Sequence, residues 1–162
     1  MRSCRIVVAA AVVVLLLGNP APAAADITGF LGISPTVGIR PAVGVAVGAG
    51  MVIAGFELEY SAISERASRD APSLQTGMLN GILQTPVPIA RMQFYATAGG
   101  GLYREELGTA SEISVAVNVG GGVKIRLAGP VRVRLDYRVF RLRGSPVKDQ
   151  YHRVYVGGNL AF

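Results

Sequence analysis

Val131-Arg132-Val133-Arg134-Leu135-Asp136-Tyr137-Arg138-Val139 alternates apolar and charged residues without a break. In an extended strand successive side chains point to opposite faces, so valine, leucine and tyrosine share one face and arginine and aspartate the other. Wound at 3.6 residues per turn, the same charges would be smeared round a helical cylinder. The stretch is a strand with one apolar and one charged face. Ile113-Ser114-Val115-Ala116-Val117-Asn118-Val119 repeats the alternation, and its register runs through Gly120, Gly121 and Gly122 into Val123-Lys124-Ile125-Arg126-Leu127. Phe56-Glu57-Leu58-Glu59-Tyr60 shows it again.

Eight such segments are expected, near Ile27–Ser34, Ala42–Gly48, Val52–Ala62, Leu74–Thr85, Met92–Arg104, Ile113–Leu127, Val131–Arg141 and His152–Phe162. Glycine and threonine dilute the alternation in the first, second and fourth. Most are near the 9–11 residues that a tilted strand needs to cross a bilayer. The connections alternate in kind: Gly48–Met51, Pro86–Arg91 and Ala128–Pro130 are short or proline-rich, whereas Pro35–Pro41, Ile63–Ser73, Glu105–Glu112 and Leu142–Tyr151 are mostly longer and charged. Short periplasmic turns and longer outer loops are the pattern of an outer-membrane barrel. The fold class expected is all-β, an eight-stranded antiparallel up-and-down transmembrane β-barrel.

The other end of the chain supports export. Arg2 and Arg5 precede twelve apolar residues, Ile6–Leu17, which Gly18, Asn19, Pro20 and Pro22 interrupt before Ala23-Ala24-Ala25. That order is a secretory signal peptide, expected at 1–25 with cleavage between Ala25 and Asp26, ahead of a barrel domain at 26–162. Twelve helical residues span about 18 Å, too short for a hydrocarbon core of ~30 Å. Cys4 is the only cysteine, so the mature chain has no disulfide and no thiol chemistry. The net charge is +6, but the arginines alternate with apolar residues rather than clustering, and export argues against nucleic acid. An exported, apolar chain with no run of 18 apolar residues beyond the leader has one common solution, a closed sheet facing lipid.

The two faces then acquire roles. Eight strands enclose only enough lumen for side chains. Glu57, Glu59, Lys124, Arg126, Arg132, Arg134, Asp136, Arg138 and Arg153 are expected to fill it over inward glycines. Within that set Glu57, Glu59, Arg132, Arg134, Asp136 and Arg138 are expected to form an ion-pair network. Phe56, Leu58, Tyr60, Val133, Leu135 and Tyr137 belong to the lipid face. A lipocalin-like soluble barrel would need the opposite packing. Register also places Arg104 and Arg141 outward at the rim, about 10 Å apart by strand spacing, with Arg143 and Lys148 following. Guanidinium matches phosphate oxygens in a bidentate manner. Arg104, Arg141 and Arg143 are therefore expected to contact lipid headgroups, lipopolysaccharide where the host carries it.

The end of the chain, Val154-Tyr155-Val156-Gly157-Gly158-Asn159-Leu160-Ala161-Phe162, resembles the last strand of outer-membrane barrels. Gly120–Leu127 followed by Arg134–Arg138 resembles the penultimate hairpin of OmpA-like and opacity-type barrels. The likeness covers the mature chain in architecture and its last third in motif. It departs from OmpA in leaving no stretch for a peptidoglycan-binding domain, and from adhesive members in its short loops. It implies an outer-membrane location, Phe162 as the signal read by the barrel-assembly machinery, periplasmic chaperones during biogenesis, and a monomer.

Chemistry is sparse. His152 is the only histidine; with Asp149 and Ser145 in the same loop it offers an alternative reading as a lipid A-modifying enzyme, but a loop-side surface histidine is the simpler one. One histidine and no mature cysteine cannot supply a usual metal site, and no cofactor is expected. Gly99–Gly101 and Gly120–Gly122 lack the spacing of a phosphate loop. The function expected is that of a non-enzymatic barrel serving envelope integrity or surface interaction, with a small-solute channel as the weaker alternative.

Overall fold

The computed structural model describes residues 24–36, 38–64, 72–107, 110–144 and 149–162. They form eight strands: β1 Ala24–Ser34, β2 Arg40–Gly50, β3 Ala54–Ile63, β4 Ser73–Gln84, β5 Met92–Leu107, β6 Ala110–Ala128, β7 Val131–Leu142 and β8 Gln150–Ala161. Each pairs antiparallel with the next, and β8 closes on β1 from Asp26↔Ala161 to Ile33↔Val154, so no sheet edge runs the length of the barrel. Every expected strand is present, with β1, β2, β5 and β6 longer than expected by three or four residues. The expected leader lies outside the described residues up to residue 23. Ala24 and Ala25 already pair with Gly50 and Ala49.

Alternation dictates the packing. Glu57 and Glu59 are 1% exposed, while their neighbours Phe56 and Leu58 are 69% and 64% exposed. The same inversion runs round the ring, with Leu31, Val45, Leu79, Leu102, Val117, Tyr137 and Val156 all on the outside. A water-soluble barrel would bury this set. Here the apolar face is the outer wall.

The two ends differ. One carries the short turns after β2, β4 and β6, and there the backbones of Ala25 and Phe162 exchange two hydrogen bonds of 2.9 Å. The other carries the longer links. At that end the β5–β6 hairpin pairs as far as Leu107↔Ala110, whereas β6–β7 pairing stops at Ala116↔Leu142, so the hairpin stands above its β7 neighbour. At the short-turn end the β6–β7 ladder shifts register between Arg126 and Ala128.

Candidate functional site

The lumen holds a charged layer beneath an apolar one. Glu57 on β3 receives both Arg134 and Arg138 from β7, the second by Nη2 donating to Oε1 at 2.7 Å. Arg138 Nη1 also lies 2.5 Å from Glu59 Oε2. Asp136 sits between the two arginines, its Oδ2 2.7 Å from Arg134 Nη2 and 3.2 Å from Arg138 Nη2. Arg134 Nε donates to Tyr95 Oη at 2.7 Å. Arg153, with its guanidinium 4.0 Å from the Phe140 ring centre, donates to Ser61, Thr76 and Tyr155 hydroxyls at 2.6, 3.1 and 3.2 Å. Asn118 donates to Asn80 at 2.8 Å. Above this layer Ile63, Leu74, Tyr103, Phe140, Leu142 and Tyr151 are all buried against one another.

The charges belong inside because the strands put them there by phase, and they persist inside because each finds opposite charge or a hydroxyl. An unpaired ion at such depth costs several kcal/mol. The glycines make room: a Cβ on Gly122 would lie 2.2 Å from Leu135 O and 2.4 Å from Tyr95 Oη. At the short-turn mouth Lys124 pairs with Asp26, and a cavity of about 50 Å³ remains.

Five members of the expected network, Glu57, Glu59, Arg134, Asp136 and Arg138, meet in this layer. Arg132 does not: one turn-ward step along β7, it donates to Gln93 at 3.4 Å beside the mouth cavity. Arg126 is not a lumen residue either: it sits at the register shift of the β6–β7 ladder, and its side chain is exposed. Sequence reading passed over Arg40, which is buried and donates to Pro72 O, and over the Asp26–Lys124 and Asn80–Asn118 pairs. Strand phase was the signal that locates all three: Asn80 lies within the expected fourth strand, and Asp26 and Arg40 lie one and two residues before the expected first and second.

The rim arginines are not a pair. Arg104 and Arg141 both point outward, but Arg104 lies opposite Ile113 and Arg141 opposite Val117 on the intervening β6. Four residues of offset along that strand put their backbones about 16 Å apart, not 10. Arg104 is also taken by Glu106, at 2.6 Å, and its Nε donates to Ser111 at 3.4 Å. Arg141 heads two adjoining shallow clefts of about 350 and 510 Å³ on the outer wall, over Val117 with Val119 and Val139 in one and Val115 in the other. Asp149 lines both and Arg143 the larger.

His152 faces outward, half-buried, with its Nδ1 2.7 Å from Tyr137 Oη and its Nε2 3.4 Å from Gln150 Nε2. Ser145 and Lys148 lie outside the described residues. Among the described residues no group of histidine, cysteine, aspartate and glutamate is arranged to hold a metal. Phe162 is exposed at the foot of β8.

No family model matches the sequence, and no curated protein is similar to it in sequence. Solved structures do match. The N-terminal β-barrel domain of Pseudomonas aeruginosa OprF superposes with a TM-score of 0.66 at 14% identity, covering 86% of this chain and 97% of that one. Neisserial surface protein A gives 0.62 at 16% identity over 86% and 94%. The outer membrane enzyme PagL gives 0.52 at 11% identity over 83% and 98%. The chain has the fold of the small eight-stranded barrels of bacterial outer membranes.

Proposed function

We propose that the chain is a non-enzymatic integral outer-membrane barrel that serves the envelope through its outer surface, with the long loops outside the cell and the short turns in the periplasm. The observation that carries this reading is the inverted packing: buried ions form a layer across the lumen, and large apolar side chains cover the outer wall. Such a wall is stable against hydrocarbon and aggregates in water. The clefts headed by Arg141, the larger with Arg143 as well, have an apolar floor and guanidiniums at the top beside Asp149. Where the arginines outnumber the carboxylate, that arrangement suits a lipopolysaccharide phosphate with acyl chains below. Arg104, committed to Glu106, adds little to this site.

PagL is an outer membrane enzyme of similar fold, but the ring of His152 meets Tyr137 and Gln150, neither of which is the serine or carboxylate partner that the enzyme reading calls for. Lipids of cells carrying His152→Ala are expected to match wild type; a missing lipid species would favour the enzyme. For the main reading the native protein is fractionated and lipid retention followed by native mass spectrometry. Outer-membrane recovery is expected, with lipopolysaccharide bound by wild type and lost from Arg141→Ala, Arg143→Ala. Recovery as soluble periplasmic protein would overturn it.

A further inference from the structure

The short-turn end departs from ordinary barrel chemistry in three ways at one place. The first is the turn between β4 and β5. Ile89 and Met92 exchange two backbone hydrogen bonds of 2.9 Å, leaving Ala90 and Arg91 as the central residues with φ of 51° and 68°. A two-residue hairpin with both φ values positive favours Asn-Gly or Gly-Gly. Alanine and arginine there crowd Cβ against the carbonyl that follows. Strain of this kind persists where a site holds it.

The second is charge. Arg126 N–H donates to Arg91 O at 3.0 Å, and Arg126 lies opposite Arg132 on β7. Three arginines thus occupy adjoining strand ends, a like-charge arrangement that is unfavourable by itself. Among the described residues none of the three has a carboxylate partner. Asp26 at this end is taken by Lys124, and residues 1–23 contain no acid. The opposite rim is mixed in sign, with Glu106, Glu112 and Asp149 among its arginines.

The third is apolar exposure on a turn. Val87, Ile89 and Leu127 are 68%, 63% and 56% exposed. Arg91 and Arg126, with Pro88, Leu127, Ala128 and Gly129, line an open cleft of about 470 Å³ between the β4–β5 and β6–β7 turns.

We propose that this cleft seats the phosphate of an anionic phospholipid from the membrane leaflet at the short-turn end. Two guanidiniums supply bidentate donors to one phosphate, which removes their mutual repulsion. Val87, Ile89 and Leu127 then sit at the upper edge of the acyl region, where free phosphate would leave them in water. The site rests on the outer-membrane reading but not on the Arg141 clefts, which face the other leaflet.

The test uses the full chain in vesicles and by native mass spectrometry, with phosphatidylglycerol and phosphatidylcholine as probes. Wild type is expected to retain phosphatidylglycerol preferentially. Arg91→Gly with Arg126→Gln is expected to weaken retention about 25-fold, from roughly 1 kcal/mol per basic residue at an anionic surface. Arg91→Gly also relieves the turn, so the variant is expected to fold at least as well, read as the gel shift between heated and unheated samples. Millimolar inorganic phosphate is expected not to displace the lipid, and Arg141→Gln, Arg143→Gln to retain it. Equal retention by wild type and the Arg91, Arg126 variant, or full displacement by phosphate, would overturn the lipid site alone. Failure of wild type to enter vesicles of either composition would overturn the outer-membrane reading beneath it.

Discussion

Glu57 on β3 and Arg138 on β7 meet across the barrel axis, Oε1 2.7 Å from Nη2, from positions 81 residues apart. No ladder joins their strands, so the contact exists only once the sheet has closed. The same carboxylate takes Arg134, and both arginines share Asp136. The pairs therefore act as one unit, and closure gains from them only when all partners are present.

Removing Glu57 is expected to expose that coupling. Glu57→Ala leaves two buried guanidiniums short of charge, and the cost is on the order of 3–5 kcal/mol. Glu106→Ala breaks an exposed pair with Arg104 and is expected to cost about 1 kcal/mol or less. In a double-mutant cycle, Glu57→Ala with Arg134→Ala is expected to cost clearly less than the sum of the single changes. Urea unfolding in detergent or liposomes measures all of these. Additive losses would mean that the two groups are not partners.

Arg153 is expected to resist its usual replacement. Its Nη1 reaches all three hydroxyls while the planar group lies on the Phe140 ring, and an ammonium on the shorter lysine stem has no planar face to lay on that ring. Arg153→Lys is expected to lose about 1–3 kcal/mol of unfolding stability, the scale of a buried charged hydrogen bond. Stability equal to wild type would show that charge alone suffices there.

The glycine triplets divide by phase. A Cβ on Gly101 would come within 1.9 Å of Gly77 O, whereas one on Gly100, facing outward, meets nothing nearer than 3.8 Å. Gly101→Ala is expected to reduce folded yield severely and Gly100→Ala to leave it unchanged, by the gel shift between heated and unheated samples. Equal yields would remove crowding as the reason for the inward glycines.

Strands were legible because one face of each had to satisfy lipid and the other ions, and that demand writes period two into the sequence. Glu57, Glu59, Arg134, Asp136 and Arg138 follow from phase alone. Arg132 has the same phase, but phase carries no height, and one step toward the mouth takes it to Gln93. The spacing of Arg104 and Arg141 failed for a related reason: the stagger of a closed barrel is a property of the ring, invisible in any single strand. Arg40 was hidden behind Pro41, which reads as a loop yet sits at the start of a strand, where proline is tolerated.

The last expectation concerns conduction. A passage would have to cross two unlike barriers, the apolar layer of Tyr103, Phe140, Leu142 and Tyr151 and the ion layer of Glu57, Arg134, Arg138 and Arg153 beneath it. Wild type in planar bilayers is expected to be silent. Tyr103→Ala with Tyr151→Ala opens the upper layer only and is expected to stay silent, because the arginines below still fill the bore. Adding Arg138→Ala and Glu57→Ala together removes opposite charges in equal number and is expected to admit water and small ions as brief, low-conductance openings. The order matters more than the size of the current. Steady current through wild type, or through the tyrosine variant alone, would show that the ion layer does not seal the lumen.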